Sequence, residues 1–262
     1  MRHMFDTHCH LQDERLAGET EAVLQRAASA GIRRLLCCGS EEADWEPVRQ
    51  LCARYHVLKP AFGLYPRYIG TRSGTWLANL RALALSSGAA IGEIGLDFAF
   101  EPRNENEQTE VFAAQLDLAA ELDRPVSIHC RQAWGPMLAL LRTIPRRPPA
   151  LVFHSYSGSA DIVAPLAELG GYFSFSGILT RHNNRRGQAA VKVVPPDRLL
   201  VETDAPDLLP LAAPDGSYPP SGTINEPANL ICMINAVAQH RAASLESIAA
   251  LTWQNAIRVF GE

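Results

Sequence analysis

The feature that most constrains this chain is a strand-then-helix alternation that repeats from one end to the other. Eight short runs rich in apolar and β-branched residues occur, at 4–8, 32–38, 57–64, 89–96, 125–129, 150–154, 171–176 and 198–203. Helical patterns fall between them at 19–30, 44–55, 75–85, 105–122, 133–141, 159–169 and 184–194, and two more follow the last strand at 227–239 and 245–259. The longest places Val111, Phe112, Leu116, Leu118, Ala119 and Leu122 on one apolar face. Gly31, Gly88, Gly170-Gly171 and Pro195-Pro196 supply helix stops. Strands alternating with helices pair in parallel through right-handed crossovers. Eight such units in 262 residues fit a closed (β/α)8 TIM barrel of the α/β class, with an additional C-terminal helix, spanning 1–262 as one domain. An open doubly wound sheet fits less well, because neither a GxGxxG turn after the first strand nor a P-loop pattern is present.

Composition sets outer limits. The chain is 47% hydrophobic and 20% charged, with a formal net charge of −4, so any phosphate-binding surface must be local rather than global. No apolar run approaches the ~20 residues of a membrane span. The first residues leave no space for a signal-peptide core before Asp6. The six cysteines form no CxxC pair and lie mostly in apolar runs, as free thiols in a reducing compartment do. The expectation is a cytoplasmic protein with no membrane association and no obligate protein partner.

Ionisable residues gather at the C-terminal ends of the expected strands. Asp6-Thr7-His8-Cys9-His10 closes the first, and strict alternation would set Asp6, His8 and His10 on one face with Thr7 and Cys9 on the other. The fourth strand brings Glu93, the fifth His129, the sixth His154, and Asp204 follows the eighth. A parallel barrel collects these ends on the face where barrel active sites lie. Each residue alone has an ordinary structural explanation, such as a hydrogen-bonded core histidine or half of an ion pair. Together, four imidazoles and two carboxylates are costly to bury without a counter-ion, and a pair of divalent cations supplies one. Nitrogen and oxygen donors without thiolate suit Zn or Mn, with Mg possible on the oxygen side. Cys9 and Cys130 should face away and pack. No GxSxG elbow occurs, so Ser155 and Ser157 are expected to bond locally. Glu202, two residues before Asp204, and Asp6 are expected behind the ligands, with Asp6 holding an imidazole in its tautomer.

The stretches Phe5-Asp6-Thr7-His8-Cys9-His10-Leu11, Gly92-Glu93-Ile94-Gly95-Leu96-Asp97-Phe98, Pro125-Val126-Ser127-Ile128-His129-Cys130-Arg131, Phe153-His154-Ser155-Tyr156-Ser157-Gly158 and Glu202-Thr203-Asp204-Ala205-Pro206 occur in the order of the TatD family, and Asn225-Glu226-Pro227 resembles it too. These are metal-dependent hydrolases of the amidohydrolase-like superfamily. The resemblance implies a two-metal deoxyribonuclease, often exonucleolytic. It puts one cation on His8, His10 and Asp204 and a second on His129 and His154, with Glu93 bridging and Asp204 taking a proton from the attacking water. One departure is visible. Where many members carry a histidine after the third strand, this chain has Tyr65.

Support for DNA or another phosphate-bearing substrate comes from arginines in the expected C-terminal loops: Arg67, Arg72, Arg103, Arg131, Arg181, Arg185 and Arg186, with His182 beside them. Tyr65, Tyr68, Trp134 and Tyr156 are aromatic neighbours able to meet bases. From these, Tyr65, Arg67, Arg131, His182 and Arg185 are the expected substrate contacts. The proline-punctuated segment 205–225 reads as a wall over the site or as a passive excursion. The same metals could instead hydrolyse a small ester, amide or aminoacyl substrate, and a non-catalytic binding protein on this scaffold is the third class.

Overall fold

The eight apolar runs become eight parallel strands. The computed structural model describes residues 3–212 and 222–262. Its single sheet runs in sequence order through β1 (Met4–Cys9), β2 (Ile32–Gly39), β3 (Leu58–Phe62), β4 (Ala90–Asp97), β5 (Val126–Arg131), β6 (Leu151–Phe153), β7 (Gly171–Phe175) and β8 (Leu199–Val201). The last strand returns to the first. Asp204 N–H donates to His8 O at 2.9 Å, His10 N–H donates to Ala205 O at 2.7 Å, and Cys9 bridges Ala205. The result is a (β/α)8 TIM barrel.

Helices α1 (Glu14–Ala17), α2 (Thr20–Ala30), α3 (Glu42–Arg54), α4 (Trp76–Ser87), α5 (Glu105–Glu121), α6 (Trp134–Thr143), α7 (Val163–Glu168) and α8 (Arg185–Val193) lie between the strands. The turn before α2 was not anticipated. Asp13 caps it by accepting from Arg15 N, and Gly18 follows its last residue. Helices α9 (Leu230–His240) and α10 (Leu245–Phe260) complete the ring. Of the 205–225 segment, residues 213–221, with Pro214, Pro219 and Pro220, lie outside the described residues. Among the described residues no helix is long and apolar enough to cross a membrane, and all six cysteines are free thiols.

Two apolar layers divide the work. The larger fills the space between the sheet and its helices. The smaller fills the lower barrel, where Phe5, Leu36, Val152, Tyr172 and Leu200 meet Trp253, Ile257 and Phe260 of α10. Phe5 lies 6.3 Å from the Trp253 ring and 5.9 Å from Phe260. Full burial of one such side chain contributes about 1.5–3 kcal/mol. The C-terminal helix therefore plugs the barrel floor, and the polar upper interior rests on a dry base.

Close backbone approach between β4 and β5 fixes that upper interior. Gly95 pairs with His129 and has φ 146°, and a Cβ there would be driven into the His129 carbonyl oxygen. Gly95→Ala should cost about 3 kcal/mol or more through strain and lost pairing. Urea unfolding checks this, and a loss below about 1 kcal/mol would contradict the account.

Candidate metal centre

A local irregularity in β1 aims the first two histidines. Its pairing with β2 shifts register between Asp6 and Cys9, so strict alternation fails there. Thr7 turns into the barrel, its Oγ1 2.9 Å from Ser174 Oγ and donating to Val201 O at 3.0 Å. Asp6 turns the other way, accepting from Thr203 N at 2.8 Å and Thr203 Oγ1 at 2.5 Å. Beyond the shift His8 and His10 both point inward, and Cys9 donates outward to Leu36 O. The expectation that Asp6 shares the histidine face and holds an imidazole is thus corrected. It holds Thr203, the residue before Asp204. Burial pushes the Asp6 carboxyl up to about 7, although the Thr203 bonds oppose the rise.

Three of the four imidazoles are hydrogen-bonded from behind, and the fourth, His154, faces a carboxylate there. His10 Nδ1 lies 2.8 Å from Cys38 O. A carbonyl only accepts, so Nδ1 carries the proton, and neutral His10 turns an Nε2 lone pair inward. His129 Nε2 lies 2.9 Å from Asp97 Oδ2, leaving Nδ1 inward. His8 Nδ1 is 2.8 Å from Ser127 Oγ, and His154 Nδ1 is 3.4 Å from Glu202 Oε1. Glu202 is fully buried and also accepts from Ser155 N–H.

The inner nitrogens face two carboxylates. Glu93 Oε1 lies 2.9 Å from His154 Nε2 and 3.2 Å from His129 Nδ1. Its Oε2 lies 3.6 Å from both His8 Nε2 and His10 Nε2. Asp204 Oδ1 lies 3.8 Å and 3.7 Å from the same two nitrogens. A φ of 58° at Asp204, in the left-handed region that aspartate tolerates better than most residues, turns its side chain into the cleft. Two groups of donors result, His8–His10–Asp204 and Glu93–His129–His154, each with its ligand atoms within 4.8 Å of one another. His8, His154 and Glu202 meet the same spacing, but all three are buried and Glu202 already serves Ser155.

The electrostatics are those of a site built around positive charge. Burial opposes ionisation of Glu93, yet His154, His129 and His8 hold its carboxyl well below the usual range. Burial lowers His8. Burial also works against charging His10, His129 and His154, but facing carboxylates outweigh it and raise all three. The carboxylates thus favour positive charge at the point where the inner nitrogens meet. With His8 Nε2 only 3.1 Å from His10 Nε2, and His129 Nδ1 3.2 Å from His154 Nε2, four ring nitrogens and three carboxylate oxygens converge. That donor set fits divalent cations bound by nitrogen and oxygen.

Above the donors opens a cleft of about 720 Å³. Tyr65, Arg67 and Arg131 line it, as does Tyr68. His182 and Arg185 do not. His182 lines a separate cavity of about 130 Å³, and Arg185 is exposed at the start of α8. Arg72 and Arg103 are paired with Glu107 and with Glu101 and Glu105, so the basic rim shrinks to Arg67 and Arg131. Tyr156 is buried, its hydroxyl donating to Ser159 O, and Trp134 donates to Ser157 Oγ. Ser155 Oγ pairs with Ser176 Oγ and Ser157 Oγ donates to Cys130 O, so both bond to neighbouring strand ends rather than within their own loop. Asp207 and Leu208, in the described part of the 205–225 segment, form one wall.

Asp97 is the functional neighbour that the sequence reading passed over. It is buried and fixes His129 while accepting from Tyr65. Its signal was available, because Glu93, Gly95 and Asp97 sit two apart on one strand. Ser127 stands two residues before His129 in the same way.

A family model described as TatD related DNase matches residues 5–261. The 3'-5' ssDNA/RNA exonuclease TatD of Citrobacter rodentium is 34% identical over 262 residues, covering 98% of each chain. An uncharacterized metal-dependent hydrolase of Bacillus subtilis, YabD, is 31% identical over 258 residues, again covering 98% of each. The crystal structure of YJJV, a TatD homolog from Escherichia coli, superposes with a TM-score of 0.90 at 28% identity, covering 99% of this chain and 98% of that one.

The hydrogen bonds commit the rings to particular tautomers. Ring-nitrogen NMR of metal-free protein, at a pH above the imidazole titrations, should show His10 protonated on Nδ1 and His129 on Nε2. The opposite tautomer at either ring would refute the inward lone pairs.

Proposed function

The chain belongs to the family of TatD-related DNases, and from that premise we propose that it is a two-metal deoxyribonuclease attacking phosphodiester bonds from chain ends. The observation that carries this reading is the convergence of four imidazoles on Glu93 and Asp204 at the floor of an open cleft. In the proposal His8, His10 and Asp204 would hold one cation and His129, His154 and Glu93 the other, with the two Glu93 oxygens each facing one histidine pair. Zn, Mn or Mg are the candidate ions. Bound there, they would acidify a water and neutralise charge on the phosphoryl group.

The protein's own residues do the rest. Asp204 is only 13% exposed at the side chain but opens onto the cleft, so its carboxylate can accept the proton of the attacking water. Arg67 and Arg131 make no ion pair among the described residues, and they line the cleft where substrate phosphates would lie. The exonuclease names of relatives support action on DNA, with RNA as the neighbouring possibility. Asp6 and Glu202 act from behind, through Thr203 and His154. A single barrel domain in a reducing, cytoplasmic setting belongs to the same proposal, supported by the six free thiols.

Metal-reconstituted protein should shorten end-labelled single-stranded oligonucleotides, lose this activity to a chelator, and leave small esters and amides untouched. Asp204→Asn should keep the fold and lower the rate by about 10²–10⁴-fold. An unchanged rate sinks the mechanism, and preferential cleavage of small esters transfers the site to that substrate class.

Arg131→Ala should raise KM for oligonucleotides and make the log–log salt dependence of binding shallower by about 0.7. Arg185→Ala, off the cleft, should do neither. Equal effects from the two would refute the assignment of the rim.

A further inference from the structure

Asp97 serves two donors with one oxygen. Its Oδ1 accepts from Ala99 N–H at 2.8 Å. Its Oδ2 takes both His129 Nε2, at 2.9 Å, and the Tyr65 hydroxyl, at 3.2 Å. The two donors differ in where they can go. His129 is packed in the barrel mouth, its ring 5.4 Å from that of His154 and its other nitrogen facing Glu93. Tyr65 lines the cleft, with its ring edge-on to His129 at 4.8 Å between centroids. Its bond to Asp97 is the longer of the two. A phenol keeps its proton at neutral pH, so Tyr65 stays a donor.

A phosphoryl oxygen entering this cleft offers the phenol an anionic acceptor that it need not share with an imidazole. We propose that Tyr65 couples substrate binding to metal binding: its hydroxyl leaves Asp97 for a phosphoryl oxygen of the substrate, and Asp97 Oδ2 is then given wholly to His129. A carboxylate that concentrates its charge on the outer nitrogen of an imidazole makes the inner nitrogen a better metal ligand. Substrate and the cation beside His129 thereby strengthen one another, and linkage makes the effect reciprocal. Tyr65 acts as a positioning residue in this scheme. It touches substrate but reaches the cation only through Asp97 and His129. The proposal rests on the phosphodiesterase reading above and adds to it a specific sensor of the phosphate.

The test is a cycle of Mn²⁺ affinities measured by calorimetry on metal-free wild type, Tyr65→Phe and Asp97→Asn, with and without thymidine 5'-monophosphate. This mononucleotide carries the phosphate but has no diester to cleave. Thermal midpoints confirm that each variant is folded. In wild type the nucleotide should tighten Mn²⁺ binding by about fivefold or more beyond its effect in Tyr65→Phe. Without nucleotide, Tyr65→Phe should bind Mn²⁺ at least as tightly as wild type, because Asp97 is already released. Asp97→Asn should weaken Mn²⁺ binding by about 10–100-fold and reduce the nucleotide effect to the size seen in Tyr65→Phe. Equal nucleotide effects in wild type and Tyr65→Phe overturn the coupling. So does weaker metal binding by Tyr65→Phe alone, which would mark Tyr65 as mere support for the ring. If either occurs while wild type still digests oligonucleotides, the nuclease reading stands without the coupling. Wild type that binds Mn²⁺ but digests no oligonucleotide removes the nuclease reading and the coupling with it.

Discussion

The structure depends on how the backs of four imidazole rings are held. A backbone carbonyl, a serine hydroxyl and the Asp97 carboxylate hold the outer nitrogens of His10, His8 and His129, and Glu202 Oε1 faces that of His154 at 3.4 Å without a hydrogen bond. Without those partners each ring could rotate or tautomerise, and the inner nitrogens would not converge. The partners come from elements other than the histidines' own. Cys38 is the penultimate residue of β2, Ser127 lies on β5, Asp97 ends β4 and Glu202 follows β8. Barrel closure is therefore what aligns the donors, and errors in any strand's register would show first as a misaimed ring. Paired carboxylates and imidazoles at this depth are also expensive to desolvate, which confines them to the barrel mouth above the apolar floor that α10 seals.

Much of this was legible because barrels write themselves in a simple code. Alternating apolar runs and helical periods were enough to place eight strands, and strand ends were enough to nominate His8, His10, Glu93, His129, His154 and Asp204. The structure brings all six together. What the code could not carry was departure from ideal alternation. The shift inside β1 reverses Thr7 and Asp6, and it depends on how β1 pairs with β2, a tertiary matter invisible in a window of five residues. The loop residues fared unevenly for a similar reason. Arg67 and Arg131 reach the cleft, whereas His182 and Arg185 share its face of the barrel but not its cavity. Counting arginines in loops overstated the basic rim, since glutamates nearby neutralise Arg72 and Arg103. Asp97 was missed although period-two spacing pointed to it, because a carboxylate that faces only an imidazole's outer edge looks like an ordinary strand terminus.

The cleft has uneven walls. Acidic residues Asp13, Glu41, Asp44 and Asp207 lie on the side of β8, β1 and β2, and Arg67 and Arg131 lie on the side of β3 and β5. Asp13 and Asp207 share Arg15, whose guanidinium ties the loop after β1 to the loop after β8 at 2.8 Å on each side. That tie is exposed and adds little stability by itself. Its effect is geometric, since it braces the two loops that flank His10 and Asp204.

The seam between β1 and β8 has a consequence in time as well as in space. The donors nearest the seam, His8 and His10 on one side and Asp204 on the other, are separated by about three quarters of the chain, and they meet through Asp204 N–H to His8 O and His10 N–H to Ala205 O. A ribosome-bound chain that has displayed its first seven strands owns most of the ligands yet cannot complete either the ring or the first donor group. The protein gains its chemistry only with its last strand. A product that ends before β8 lacks Asp204 and with it the first donor group.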